Sequence, residues 1–136
     1  MAASLRLEVV TPTGRVYSQD VDMVTLPGQE GEMGILPMHA PLIALLGDGE
    51  IIAQRGPQED RLLVNRGCAE ITQDRVNILT VFAVDEKAID PSKAEEARQR
   101  AEARLKEKLS PEETALVQAS LAHSLAQLKI KRKPRH

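Results

Sequence analysis

The chain has 136 residues, a net charge of −2 and 42% hydrophobic residues, enough for one domain of ordinary size or a small domain with an appendage. Tyr17 and Phe82 are its only aromatic residues. A core must therefore be aliphatic, and base stacking of the kind that holds single-stranded nucleic acid has almost nothing to work with. The lone Cys68 excludes an internal disulfide, fits a reducing compartment and reads as a small buried hydrophobe. The sequence reads without a signal peptide or an apolar run of membrane-spanning length.

Charge divides the chain. Residues 1–90 carry 7 Lys and Arg against 14 Asp and Glu, whereas residues 91–136 carry 11 against 6. All eight glycines lie at or before Gly67. Two architectures are joined near residue 90.

Leu5, Leu7 and Val9 alternate with Arg6 and Glu8, the period of a half-buried strand. Pro12-Thr13-Gly14 turns the chain into a second strand through Arg15–Tyr17, and Val21–Leu26 reads as a third. Gly31–Leu36 pairs back across a glycine-rich corner. Leu42–Leu46 is apolar throughout, which predicts a strand covered on both faces. Gly47-Asp48-Gly49 turns into Glu50–Gln54, and Gly56-Pro57 turns again. Arg61–Asn65, Cys68–Thr72 and Val76–Phe82 complete the series, separated by Arg66-Gly67 and Gln73-Asp74. Short strands with turn signals at intervals of about 8–12 residues predict an all-β sandwich or barrel, and a sandwich is the reading adopted.

Beyond Phe82 the pattern becomes helical. Asp90-Pro91 and Ser110-Pro111 are paired helix starts, each a cap followed by proline at the first helical position. Glu113 completes an S-x-x-E capping box at the second. Ala94, Ala97, Ala101, Leu105 and Leu109 share one helix face. In the next helix Val117, Leu121, Leu125 and Leu128 form a leucine stripe beside an alanine stripe at Ala115, Ala119, Ala122 and Ala126. So short a turn predicts an antiparallel hairpin, each helix roughly 28 Å long at about 1.5 Å per residue. The fold class is α+β, with a β-sandwich over 1–86 and a two-helix hairpin with a basic tail over 87–136. Alanine faces exclude little apolar surface, so the hairpin is expected to detach or re-dock at small cost. The basic end (Lys129, Lys131, Arg132, Lys133, Arg135) reads as a solvated tail.

The stretch Leu26–Leu46, LPGQEGEMGILPMHAPLIALL, sets Gly28, Gly31 and Gly34 between Pro27 and Pro37. It lacks the Gly-Lys-Ser/Thr ending of a phosphate loop, and no amphipathic helix follows, so a tight β-hairpin is the reading its residues give. Its order, L-P-G-x-x-G-x-x-G-I-L-P-x-H-A-P-L, closely resembles the ε subunit of bacterial F-type ATP synthases. The resemblance extends over essentially the whole chain.

That resemblance implies a non-catalytic rotor-stalk subunit on the cytoplasmic face of the bacterial membrane, attached to the membrane only through its complex. It implies a sandwich that holds the γ subunit and rests on the c-ring, coupling proton-driven rotation to ATP synthesis. Glu32 and His39 match the family's ring-facing residues, with Glu30, Met33, Met38 and Pro41 around the same end. The helices would restrain ATP hydrolysis by extending into the α/β catalytic head, through Arg98, Arg100, Arg104, Lys106 and Lys108. Some members bind ATP at an I/L-D-x-x-R-A motif. Here Ile89, Asp90, Lys93 and Ala94 match it with lysine in place of arginine, and Arg100 matches a first-helix arginine, while His123 and Gln127 stand where second-helix arginines are wanted. Lysine does not reproduce the planar fork of a guanidinium.

Two rivals stand beside the stalk reading: an ATP-sensing module whose hairpin closes on nucleotide, and a nucleic-acid adaptor using the basic end. Sparse aromatics and the acidic first part count against the second. Histidines at 39, 123 and 136 lack a second ligand at metal spacing. Neither a local nucleophile signature nor a persuasive acid–base pair is present, so no cofactor, metal or enzymatic activity is expected.

Overall fold

The computed structural model describes residues 4–132, which fall into two compact units separated in sequence between Glu86 and Lys87. The first unit contains β1 (Leu5–Thr11), β2 (Gly14–Val21), β3 (Met23–Gly28), β4 (Gly31–Ile35), β5 (Leu42–Leu46), β6 (Gly49–Arg55), β7 (Gln58–Ile71) and β8 (Arg75–Asp85). They hydrogen-bond in the order β2-β1-β8-β7-β5-β3-β4, while β6 pairs with both β3 and β7. β1 and β8 run parallel, and the other pairs are antiparallel. The first half of β7 lies along β6 and its second half along β5, so one long strand serves both parts of the sandwich.

Alternation fills the interior: Leu5, Leu7 and Val9 of β1 meet Val76 and Ile78 of β8 in one aliphatic cluster. Burying a side chain of this size stabilises by about 1.5–3 kcal/mol. The buried polar residue Asp60 accepts from the Tyr17 hydroxyl at 2.6 Å and from Arg55 Nε at 2.7 Å. Burial, and then the hydrogen bond and negative charge of Asp60, push the Tyr17 phenol above its ordinary pKa.

Three strand expectations need correction. Arg66-Gly67 does not divide two strands: β7 is continuous, with one register against β8 on either side of Arg66. Arg66 takes a φ of 33°, and its N–H donates to Asp48 Oδ1 at 3.0 Å. Nor does Gly47-Asp48 reverse the chain, since β5 and β6 follow one another along β7. Finally, β5 is covered on one side only, leaving Ile43 73% and Leu45 61% exposed.

The second unit contains α1 (Pro91–Leu105) and α2 (Pro111–Arg132). The Asp90 side chain accepts from Ser92 N at 2.9 Å and caps α1, while Ser110 Oγ accepts from Glu113 N at 3.1 Å at the start of α2. The helices lie antiparallel, with Arg104 reaching Glu113 beside the turn and Leu128 and Arg132 near Pro91 at the other end. They are unequal, about 22 and 33 Å at 1.5 Å per residue. Leu109 lies outside α1. On α2 the inward positions include Val117, Leu121, Ser124 and Leu128, whereas Leu125 is exposed and most of the alanine stripe faces outward. The basic end is helical through Arg132 rather than a tail; Lys133 and Arg135 lie outside the described residues.

Candidate functional site

The corner between β3 and β5 is set by backbone constraints. Gly28 pairs with Gly31 across the two-residue turn Gln29-Glu30. A Cβ on Gly28 would lie 2.6 Å from the Gly31 carbonyl oxygen, so no side chain fits there. Gln29 N donates to Leu45 O and Gly47 N to Pro27 O, tying this hairpin to β5. Glu30 at the tip and Glu32 on β4 are both exposed. With Met33, Leu42, Ile43 and Leu45 they border a groove of about 460 Å³.

Of the six residues expected at the ring-facing end, Glu30, Glu32 and Met33 share this groove, whereas Met38, His39 and Pro41 belong to the following corner. Met38 holds a left-handed φ of 69°, and its N–H donates to Gln73 O at 2.7 Å. Its side chain is 65% exposed. His39 Nδ1 lies 2.6 Å from Ala40 O, a contact in which the ring N–H donates to the carbonyl. The carboxylates Glu30 and Glu32 are solvated groups suited to contact with cations.

A second surface was not visible to sequence reasoning. Register aligns Val10 of β1, Leu79 of β8, Cys68 of β7 and Leu45 of β5 in one row. Leu79 is 57% exposed and Val81, two residues on, 68%; Cys68 is half-buried rather than a core residue. The available signal was an inverted alternation in β8, where Thr80 is buried and the apolar Leu79 and Val81 face outward. Together with Ile43, these residues form an apolar face over four strands.

The five candidate cations of the helical unit are not equivalent. Arg98 is engaged by Glu95 and by Glu102, the latter at 2.7 Å. The hydrogen bond from Arg98 holds the Glu95 carboxyl below the usual carboxylate range, and Glu95, then Glu102, raise the Arg98 guanidinium in turn. Arg104 binds Glu107 at 3.2 Å and Glu113 at 3.5 Å. Arg100, Lys106 and Lys108 are exposed and make no ion pair among the described residues.

The residues matched to the nucleotide motif are dispersed in role. Ile89 and Ala94 are buried, Asp90 is the α1 cap, and Lys93 and Arg100 are exposed two turns apart on one flank of α1. Gln127 Nε2 lies 3.0 Å from His123 Nε2 and donates to it. Among the described residues no three His, Cys, Asp or Glu side chains are grouped as a metal would require.

Residues 4–86 match the family described as ATP synthase, Delta/Epsilon chain, beta-sandwich domain. Residues 87–132 match its long alpha-helix domain. The ATP synthase epsilon chain of Dehalococcoides mccartyi is 42% identical over 134 residues, covering 98% of this chain and 96% of that one. The epsilon chain of Syntrophobacter fumaroxidans is 41% identical over 133 residues, covering 98% and 99%. A chain in the Euglena gracilis mitochondrial ATP synthase OSCP/F1/c-ring structure shares the fold, with TM-score 0.65 and 23% identity, covering 93% of this chain and 76% of that one. One in the Tetrahymena thermophila central stalk/c-ring structure does so with TM-score 0.60 and 12% identity, covering 93% and 96%. With both of its parts matched and full-length relatives above two-fifths identity, the chain belongs to the ATP synthase delta/epsilon chain family.

Proposed function

We propose that the chain is a non-catalytic central-stalk subunit, bound to γ by the outward face of β1, β8, β7 and β5. The glycine-rich end, with Glu30, Glu32, Met33, Met38, His39 and Pro41, rests on the c-ring and helps couple proton-driven rotation to ATP synthesis. The observation that carries this reading is the apolar face itself. Ile43 and Leu45 on β5 and Leu79 and Val81 on β8, the two strands that flank β7, are all more than half exposed, and a contiguous exposed patch of large apolar residues marks an interaction surface. Among the described residues no helix is long and apolar enough to cross a membrane, which suits attachment to the cytoplasmic face through the complex. The helical unit restrains hydrolysis by extending into the α/β head, led by Arg100, Lys106 and Lys108, with Arg98 and Arg104 moderated by their glutamates. An acidic segment of the head attracts these cations most strongly where water is excluded.

Co-purification tests the docking face. Leu79→Glu combined with Ile43→Glu leaves the sandwich folded, because both positions are exposed, and is expected to remove the chain from the assembled enzyme. Retention at the wild-type level would refute the reading. A second reading, nucleotide sensing, is favoured by Lys93 and Arg100, which make no ion pair among the described residues and lie on one flank of α1. Calorimetric titration of the full chain distinguishes it: heat with millimolar ATP supports sensing, and its absence removes it.

A further inference from the structure

The apolar row has a polar neighbour that narrows the chemistry of whatever covers it. One outward step away on the same strands, register aligns Glu8, Asn77, Glu70 and Ile43 side by side. Glu8, Asn77 and Glu70, together with Val10, Cys68 and Leu79, border a groove of about 310 Å³. Asn77 Oδ1 itself is buried without a hydrogen-bond partner among the described residues. Buried acceptors are almost always paired, and an unpaired one calls for a donor from elsewhere. The neighbours on either side do not supply it. Glu70 is exposed and makes no ion pair among the described residues, while the Glu8 carboxylate has Arg6 Nε no nearer than 4.0 Å and accepts from Ser18 Oγ at 3.5 Å. Three acceptors thus stand in line with an aliphatic row alongside them. Arg75, one outward position before Asn77, borders the opposite end of the groove beside Arg6, so the side open to an incoming cation is that of Leu79 and Cys68.

We propose that this groove receives an arginine side chain of the stalk subunit seated on the outward face. The guanidinium donates to Asn77 Oδ1 and to a flanking carboxylate, while its aliphatic stem lies over Val10, Leu79 and Cys68. Arginine fits better than lysine because its planar fork serves two acceptors at once and its stem covers apolar surface. This inference rests on the docking reading above and specifies the partner chemistry at its centre.

The test is titration of the full-length chain with γ from its own enzyme, at low and at raised salt. Asn77→Asp adds a charge where the cation enters and is expected to tighten binding several-fold at low salt, with a steeper loss as salt rises. Asn77→Leu is expected to weaken binding about tenfold or more, as loss of one member of a buried charge-assisted pair does, while its thermal melt stays at or above that of the wild type. Glu70→Gln is expected to weaken binding a few-fold and flatten the salt dependence. If Asn77→Asp weakens binding, or all three variants bind as the wild type does while Leu79→Glu abolishes binding, the arginine is refuted and the docking face stands. If Leu79→Glu also binds normally, the docking face itself is wrong.

Discussion

The two units stabilise themselves by different means. The sandwich buries a continuous aliphatic cluster that includes Leu5, Leu7, Leu62 and Ile78, each at 0% exposure. In the helical unit the buried residues of α1 are Ala94 and Ala101, and those of α2 are Leu128, Ile130 and Ser124, whose hydroxyl donates to Ser120 O at 3.1 Å. Its ion pairs, such as Arg104–Glu107 and Arg104–Glu113, are about half exposed, where such pairs contribute about 0–1 kcal/mol. Stability is concentrated in the sandwich, proposed above to hold the partners, and is low in the helical unit, proposed above to extend into the head.

The largest perturbation that sharpens this contrast is Ile78→Ala. A core deletion of this kind costs about 2–5 kcal/mol, and denaturant melts should show it in the strand transition, with the helical transition little changed. Equal shifts in both would mean that the units fold as one. Ala101→Gly is expected to do the converse, lowering the helical transition alone by about 1 kcal/mol. Tyr17→Phe removes a hydroxyl from Asp60 and costs about 1 kcal/mol, again in the strand transition.

The same tyrosine reports on pH. Its folded pKa is raised above the ordinary 10.0, so the contribution is fully present below that value and is lost as pH climbs toward the folded pKa. As the chain's only tyrosine, its phenolate absorbance should appear above the range of a free tyrosine and together with unfolding. A titration near 10 in the folded protein would show that the Asp60 contact is not formed. The smallest effect belongs to Glu95, whose folded pKa is depressed. Its contribution is present above the ordinary carboxylate range and is lost as pH falls through the folded value. Helicity should therefore decline slightly on acidification, and Glu95→Gln should abolish that decline.

Where local chemistry decides structure, the sequence was readable. Alternation in β1, the Gly28–Gly31 hairpin, the Asp90 cap and the Ser110-Pro111 start all appear in the fold. Where tertiary partners decide, it misled. Arg66-Gly67 has the composition of a turn, yet β7 continues because Asp48 accepts the Arg66 N–H at 3.0 Å. The Thr80 hydroxyl also lies 2.6 Å from Asn65 O and 2.7 Å from Arg66 O, so its one proton is shared between these carbonyls. Ser124 displaced Leu125 from the inward face of α2 because its hydroxyl bonds back to the preceding turn, which removes the usual penalty for burying it. The apolar run of β5 suggested cover on both sides. Nothing within the strand distinguishes a side covered by its own fold from one left open to a partner, which is why the outward face emerged only from the register of four strands.

Removal of residues 87–136 from the chain in the assembled enzyme, followed by measurement of ATP hydrolysis and of retention in the complex, tests the division of labour most directly. The sandwich is expected to remain bound and hydrolysis to rise. Unchanged hydrolysis would contradict a restraining role for the helices, and loss of the truncated chain from the complex would contradict attachment through the sandwich alone.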